Sequence, residues 1–207
     1  MQEALARRLG RLLGDGPEGI NHLLSKHTGY RSLASFGVAE QITHLYYDNP
    51  EEAIGFYEET LGLPKEGTNR FRIGADALIE VHPLDTHHPA GQPKSTAIAL
   101  LTDQLPQWYA QVQAKNIPVR HPYKPREGGP HDGFVAVDPG GYLLEFEQFK
   151  QHPENERLMA ALADAPMIGT TSGGLYFFGS ITWTYHKDLL RMQNYYEEVL
   201  GYPLVAD

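Results

Sequence analysis

Asp138-Pro139-Gly140-Gly141-Tyr142-Leu143-Leu144-Glu145-Phe146 is the stretch on which the reading of this chain turns. Gly133 to Val137 predicts a strand running into the Asp-Pro-Gly-Gly reversal, whose residues tolerate a tight turn, and a second strand leaves it. On the outgoing strand Leu143 and Glu145 point one way while Leu144 and Phe146 point the other. A carboxylate inside an otherwise apolar strand is costly to bury without a partner. Glu145 therefore calls for a ligand-binding or catalytic cavity.

Upstream, Ile42-Thr43-His44-Leu45-Tyr46-Tyr47-Asp48 reads as a strand. Pro50 to Leu63 reads as a helix, with Asn49 as cap, Pro50 in the first turn and Gly62 as the stop. Strands are expected at Arg70 to Ile73 and Ala77 to His82. After the loop Thr86-His87-His88-Pro89-Ala90-Gly91-Gln92-Pro93, a second set follows: strand Thr96 to Leu101, helix Leu105 to Lys115, strand Pro118 to Tyr123, and the closing hairpin Gly133–Phe149.

Strand, helix ending in Phe-Tyr-x-x-x-Leu-Gly-Leu, paired strands and a closing Asp-Pro-Gly-Gly-x-x-x-Glu resemble the vicinal oxygen chelate superfamily. Glyoxalase I, extradiol dioxygenases, bleomycin resistance proteins and methylmalonyl-CoA epimerase belong to it. The resemblance covers residues 41 to 149 and returns at the C-terminus. It implies an α+β fold in which paired strand–helix–three-strand (βαβββ) modules form a cup-shaped mixed sheet. It does not fix the reaction, because one fold hosts many chemistries.

Composition narrows the function classes. The 207 residues carry a net charge of −9, with no basic patch dense enough for nucleic acid. The absence of cysteine excludes disulfides, thiolate catalysis and cysteine-ligated metal. The N-terminus has charges throughout (Glu3, Arg7, Arg8, Arg11) and lacks the apolar run of a secretion signal, so the cytoplasm is the default expectation and no membrane partner is expected.

Leu5, Leu9, Leu12 and Leu13 mark an amphipathic helix, and Pro17 opens another. Near the other end the pattern restarts. Ile181-Thr182-Trp183-Thr184-Tyr185 and Tyr195-Tyr196-Glu197-Glu198-Val199-Leu200-Gly201-Tyr202-Pro203 repeat Ile42 to Tyr46 and Phe56 to Pro64 without a gap; 181 − 42 and 195 − 56 both give 139. The expected organisation is a helical extension over 1–38, a glyoxalase-like domain over 39–150, a helical linker over 151–174 with a helix at Glu154 to Ala163, and an incomplete third module over 175–207. An unfinished domain exposes a strand edge and an apolar helix face, so a homodimer is expected.

In the superfamily, metal ligands come from the first and last strands of each module. The resemblance places Glu145 at the fourth position and Glu80, within Ala77-Leu78-Ile79-Glu80-Val81-His82, at the second. It assigns these two carboxylates the catalytic roles, Glu145 as base or ligand and Glu80 as its partner. The first place falls on Gln41 or Ile42, a difference of one residue that reverses every side chain. Facing Ile42, His44 and Tyr46 toward the core would turn Gln41 and Thr43 toward the cup. The third place falls on Thr96, where no histidine stands. Gln41, Thr43, His44 and Thr96 are thus candidate substrate contacts. A set of Gln41, Glu80 and Glu145 would suit magnesium, calcium or manganese, but with two ligand places lost no tightly bound metal is expected.

Two functions compete for a small-molecule ligand. One is a glyoxalase-like lyase or isomerase that abstracts a proton next to a carbonyl. The other is a metal-free module that sequesters a small molecule, as bleomycin resistance proteins do. A third reading is a fragment of a two-domain protein.

Overall fold

The computed structural model describes residues 39–202 apart from 164 and 172. The helices expected within 1–38 lie outside the described residues. The chain divides into two units, described in turn: one holds residues 40–185, and of the other the described part is Ala39 and 186–202.

In the larger unit, β1 (Gln41–Tyr47), β2 (Arg70–Gly74) and β3 (Ala77–Pro83) form a three-stranded sheet in the order β1-β3-β2, with β1 parallel to β3. Between β1 and β2 runs α1 (Pro50–Gly55), whose cap Asn49 accepts the Glu52 N–H. Its last stretch, Phe56–Thr60, widens into a π-helical turn closed by the Leu61 N–H on the Phe56 carbonyl, and Gly62 leaves the helix at φ 71°.

β4 (Thr96–Leu101), α2 (Leu105–Ala114), β5 (Val119–His121), β6 (His131–Val137) and β7 (Leu143–Phe149) follow, close to the expected bounds. They build a five-stranded sheet with β10 (Gly179–Thr184), in the order β10-β4-β7-β6-β5. A short α3 (Glu156–Leu162) and the two-stranded pair β8 (Ile168–Gly169) and β9 (Tyr176–Phe177) lie between β7 and β10 in sequence. The architecture is α+β with mixed sheets, as expected. β10 takes its partner within the chain: it runs antiparallel to β4, with Ile181 opposite Ala99.

One hydrophobic core joins the two larger sheets. Leu45, Tyr47 and Val81 of the first belong to the same buried cluster as Ile98, Leu144 and Phe146 of the second, with Trp108 of α2 between Phe146 and Phe177. The Asp-Pro-Gly-Gly turn fastens the sheets together. Buried Asp138 Oδ2 accepts from the hydroxyls of Tyr47 at 2.5 Å and Tyr57 at 2.7 Å, while Oδ1 accepts the backbone N–H groups of Gly140 and Tyr142. Burial raises the Asp138 carboxyl, and the four hydrogen bonds oppose that shift. A Cβ at residue 140 would come within 2.5 Å of the Tyr47 ring, so glycine is required for the approach.

In the smaller unit, α4 (Leu189–Asn194) repeats α1 in detail. Asp188 caps it by accepting the Arg191 N–H, Tyr195–Val199 form a π-helical turn, and Gly201 leaves at φ 71°. Asn49, Phe56 and Gly62 are the corresponding residues of the first copy. The repeat read from sequence is thus a repeat of backbone geometry.

Candidate active site

Glu145 lies on the face of β7 turned away from the core, since Leu144 and Phe146 are buried beneath α2. Across the sheet it stands opposite Ala99 of β4 and Val135 of β6. The Trp183 side chain of β10 interacts with its carboxylate and lowers its pKa against the larger effect of burial. A cavity of about 370 Å3 opens beside it, lined among others by His121, Lys124, Arg126, His131 and Val135. Burial raises the Glu145 carboxyl, and the charges of His131 and His121 lower it.

Two residues further along the same face lies Glu147, which is 3 % exposed. It stands between Leu101 of β4 and Gly133 of β6. Leu101 pairs in turn with Gly179 of β10, where a Cβ would lie 3.4 Å from Leu162 of α3. Glu147 is thus flanked by apolar neighbours and shielded from water. Its Oε2 has no hydrogen-bond partner among the described residues, and Oε1 is 4.0 Å from His131 Nε2. Burial, reinforced by the negative charge of Glu145, pushes its pKa up to about 8. Glu145 lines the cavity and can take a proton from a bound molecule, while Glu147, held protonated at neutral pH, is not part of that lining. Glu147 escaped the sequence reading; the signal for it was the parity of Glu145 and Glu147.

Glu80 stands elsewhere. It belongs to the three-stranded sheet, opposite His44 on β1 and Arg70 on β2. Arg70 donates to Glu80 Oε2 through Nε at 2.8 Å and Nη2 at 2.5 Å, and these bonds hold the carboxyl below the usual range against the opposing effect of burial. Oε1 lies 3.2 Å from His82 Nε2, and His82 Nε2 lies 2.8 Å from His44 Nδ1. Among the described residues lining the Glu145 cavity, Glu80 does not appear.

On β1 the faces run opposite to the expected sense. Leu45 and Tyr47 are 0 % and 2 % exposed and belong to the core, which puts Gln41 and Thr43 on the core side and His44 on the other. Trp183, the counterpart of His44 in the repeat, is likewise turned outward and is 40 % exposed beside Glu145. Gln41 Nε2 donates to Thr182 Oγ1 at 3.0 Å, and Thr43 Oγ1 lies 3.3 Å from the same atom. Thr96 starts β4 opposite Thr184, on the side of buried Ile98.

The four metal places of the family are poorly furnished. Ile42 and Thr96 supply no strong ligand, the Gln41 amide donates to Thr182, and Glu80 does not line the cavity beside Glu145. These residues do not fit a resident divalent ion at those places. Within ligand reach of one another among the described residues are instead His44, Glu80 and His82, whose donor atoms all lie within 4.8 Å.

Comparison with known proteins agrees with the fold. The family model described as Glyoxalase/Bleomycin resistance protein/Dioxygenase superfamily matches residues 30–146. The chain belongs to this superfamily. Solved structures similar to it include a lactoylglutathione lyase from Agrobacterium tumefaciens, 23 % identical, covering 53 % of this chain and 92 % of that one with a TM-score of 0.41. A glyoxalase/bleomycin resistance protein/dioxygenase from Nocardioides is 16 % identical and covers 66 % and 95 %, with a TM-score of 0.48. Another of that description, from Alicyclobacillus acidocaldarius, is 21 % identical and covers 53 % and 90 %, with a TM-score of 0.40. None of the curated proteins compared with it matches. No helix among the described residues is long and apolar enough to cross a membrane.

Proposed function

We propose that this superfamily member is an enzyme that abstracts a proton next to the carbonyl of a small anionic substrate, with Glu145 as the base. The observation that carries this reading is the Glu145–Glu147 pair beside a cavity lined by His121, Lys124, Arg126 and His131. The lysine and arginine favour a ligand carboxylate or similar anion. A protonated Glu147 next to ionised Glu145 avoids a second buried charge and leaves Glu145 free to accept a proton. In this reading His121 and His131, which line the cavity, stabilise negative charge that develops on the substrate oxygen. Glu80, expected as the second catalytic carboxylate, is replaced in this reading by Glu147.

The test is hydrogen–deuterium exchange at the carbon next to the carbonyl, followed by NMR over a panel of small 2-oxo acids. Exchange by the native chain and its loss in Glu145→Gln support the enzyme. Tight binding of a panel member without exchange, unaltered by Glu145→Gln, would leave the sequestering module as the function. That alternative draws on the same cavity and on the poorly furnished metal places.

A further inference from the structure

We infer that His44, Glu80 and His82 form a binding site for a divalent first-row transition ion such as Zn2+, built within the three-stranded sheet and separate from the Glu145 cavity. The inference does not rest on the enzymatic reading above.

Strand register assembles the three ligands. His44 and Glu80 are parallel partners on β1 and β3, and His82 follows Glu80 on the same face two residues later. The family's own metal places draw on both modules; Glu80 stands at the second of them, while His44 and His82 stand at none of the four. Donors around a tetrahedral ion at about 2.0–2.2 Å from each ligand atom stand roughly 3.3 Å apart. His44 Nδ1 and His82 Nε2 are 2.8 Å apart, and His82 Nε2 and Glu80 Oε1 3.2 Å. Small side-chain rotations open these spacings to the required values. In the short contact between the imidazoles one ring nitrogen donates to the other, whereas an entering cation would require both as acceptors.

The surroundings suit the role. Arg70 engages Glu80 through Oε2 and leaves Oε1 toward the histidines, the arrangement of an outer-shell residue that fixes a carboxylate ligand. The Tyr46 ring stacks on His82 at 5.3 Å and limits its rotation. His44 is exposed and the His82 side chain 27 % exposed, so the remaining coordination positions face water. Two imidazoles and one carboxylate select borderline ions over hard ones. Arg70 neutralises much of the Glu80 charge, and this weakens any purely electrostatic attraction for Mg2+ or Ca2+ further.

Isothermal titration of the chelator-treated full chain with Zn2+ at neutral pH tests the site. One equivalent is expected to bind, with Mg2+ giving no heat. His44→Ala and His82→Ala should each weaken Zn2+ binding more than about tenfold, and Glu145→Gln should leave it unchanged. His44→Gln provides a second variant at an exposed position, and circular dichroism of the metal-free variants checks the fold. Binding that survives both histidine variants, or that is lost in His88→Asn or in Glu145→Gln, overturns the assignment.

Discussion

Thr43 Oγ1 and Thr182 Oγ1 lie 3.3 Å apart, and the two threonines occupy the same position in the two copies of the internal repeat. The first strands of the copies therefore meet at equivalent residues. One belongs to the three-stranded sheet as β1, while the other closes the five-stranded sheet as β10.

Because β10 covers the edge of β4, truncation after Phe178 should unmask an apolar strand. Ala97 to Leu101 are all buried, and without Gly179–Thr184 they would present unpaired backbone groups. Light scattering should show association or precipitation of the truncated chain, and hydrogen exchange should accelerate along β4. A truncated chain that stays as soluble as the full one, with protected β4 amides, would contradict this.

Asp138→Asn should destabilise the protein by about 2–4 kcal/mol in urea unfolding, because a buried amide cannot replace a carboxylate accepting four hydrogen bonds. Tyr57→Phe removes one of those bonds and should cost about 1–2 kcal/mol.

Stability should also fall with rising pH because of Glu147. Unfolded, its carboxyl titrates near 4.5; folded, at about 8. The folded chain holds the proton more tightly, so the contribution is complete below pH 4.5 and is lost as pH rises through 8. The slope across that window is about 1.4 kcal/mol per pH unit. Thermal melts of Glu147→Gln should lack this decline, whatever its stability at acid pH.

Exchange catalysis should follow a bell-shaped pH profile. The acid limb reports ionisation of Glu145, raised above its ordinary value, and the alkaline limb reports the second ionisation near 8, which sets another negative charge against an anionic substrate. Glu147→Gln should keep the acid limb and lose the alkaline one. A single-limbed profile in the native chain would remove Glu147 from the mechanism.

Much of this architecture was legible because local rules and tertiary packing agree in it. The Asp138–Gly141 reversal, the Leu143–Phe146 alternation and the Asn49 and Gly62 helix signals each have one physical solution, and the strands fall close to their expected bounds. The π-helical turns at Phe56 and Tyr195 were hidden, since residue preference does not distinguish i→i+5 from i→i+4 bonding. The partner of Ile181–Thr184 was hidden too: β propensity names a strand without naming the edge it will join. At the site, Glu145 stands out against its apolar neighbours, while Glu147, next to Gln148, carries no such contrast. Only the pairing of Glu147 with Leu101 and Gly133 reveals how dry its position is. The ion pair of Glu80 with Arg70 needed the β2–β3 register.

The Asp138 turn also bears on how the larger unit comes apart. Its carboxylate belongs to the five-stranded sheet and two of its donors, Tyr47 and Tyr57, to the three-stranded half, so neither half can open without stranding a buried charge or two buried hydroxyls. Partial unfolding is penalised at the same place from both directions, and the two sheets are bound to melt as one cooperative body.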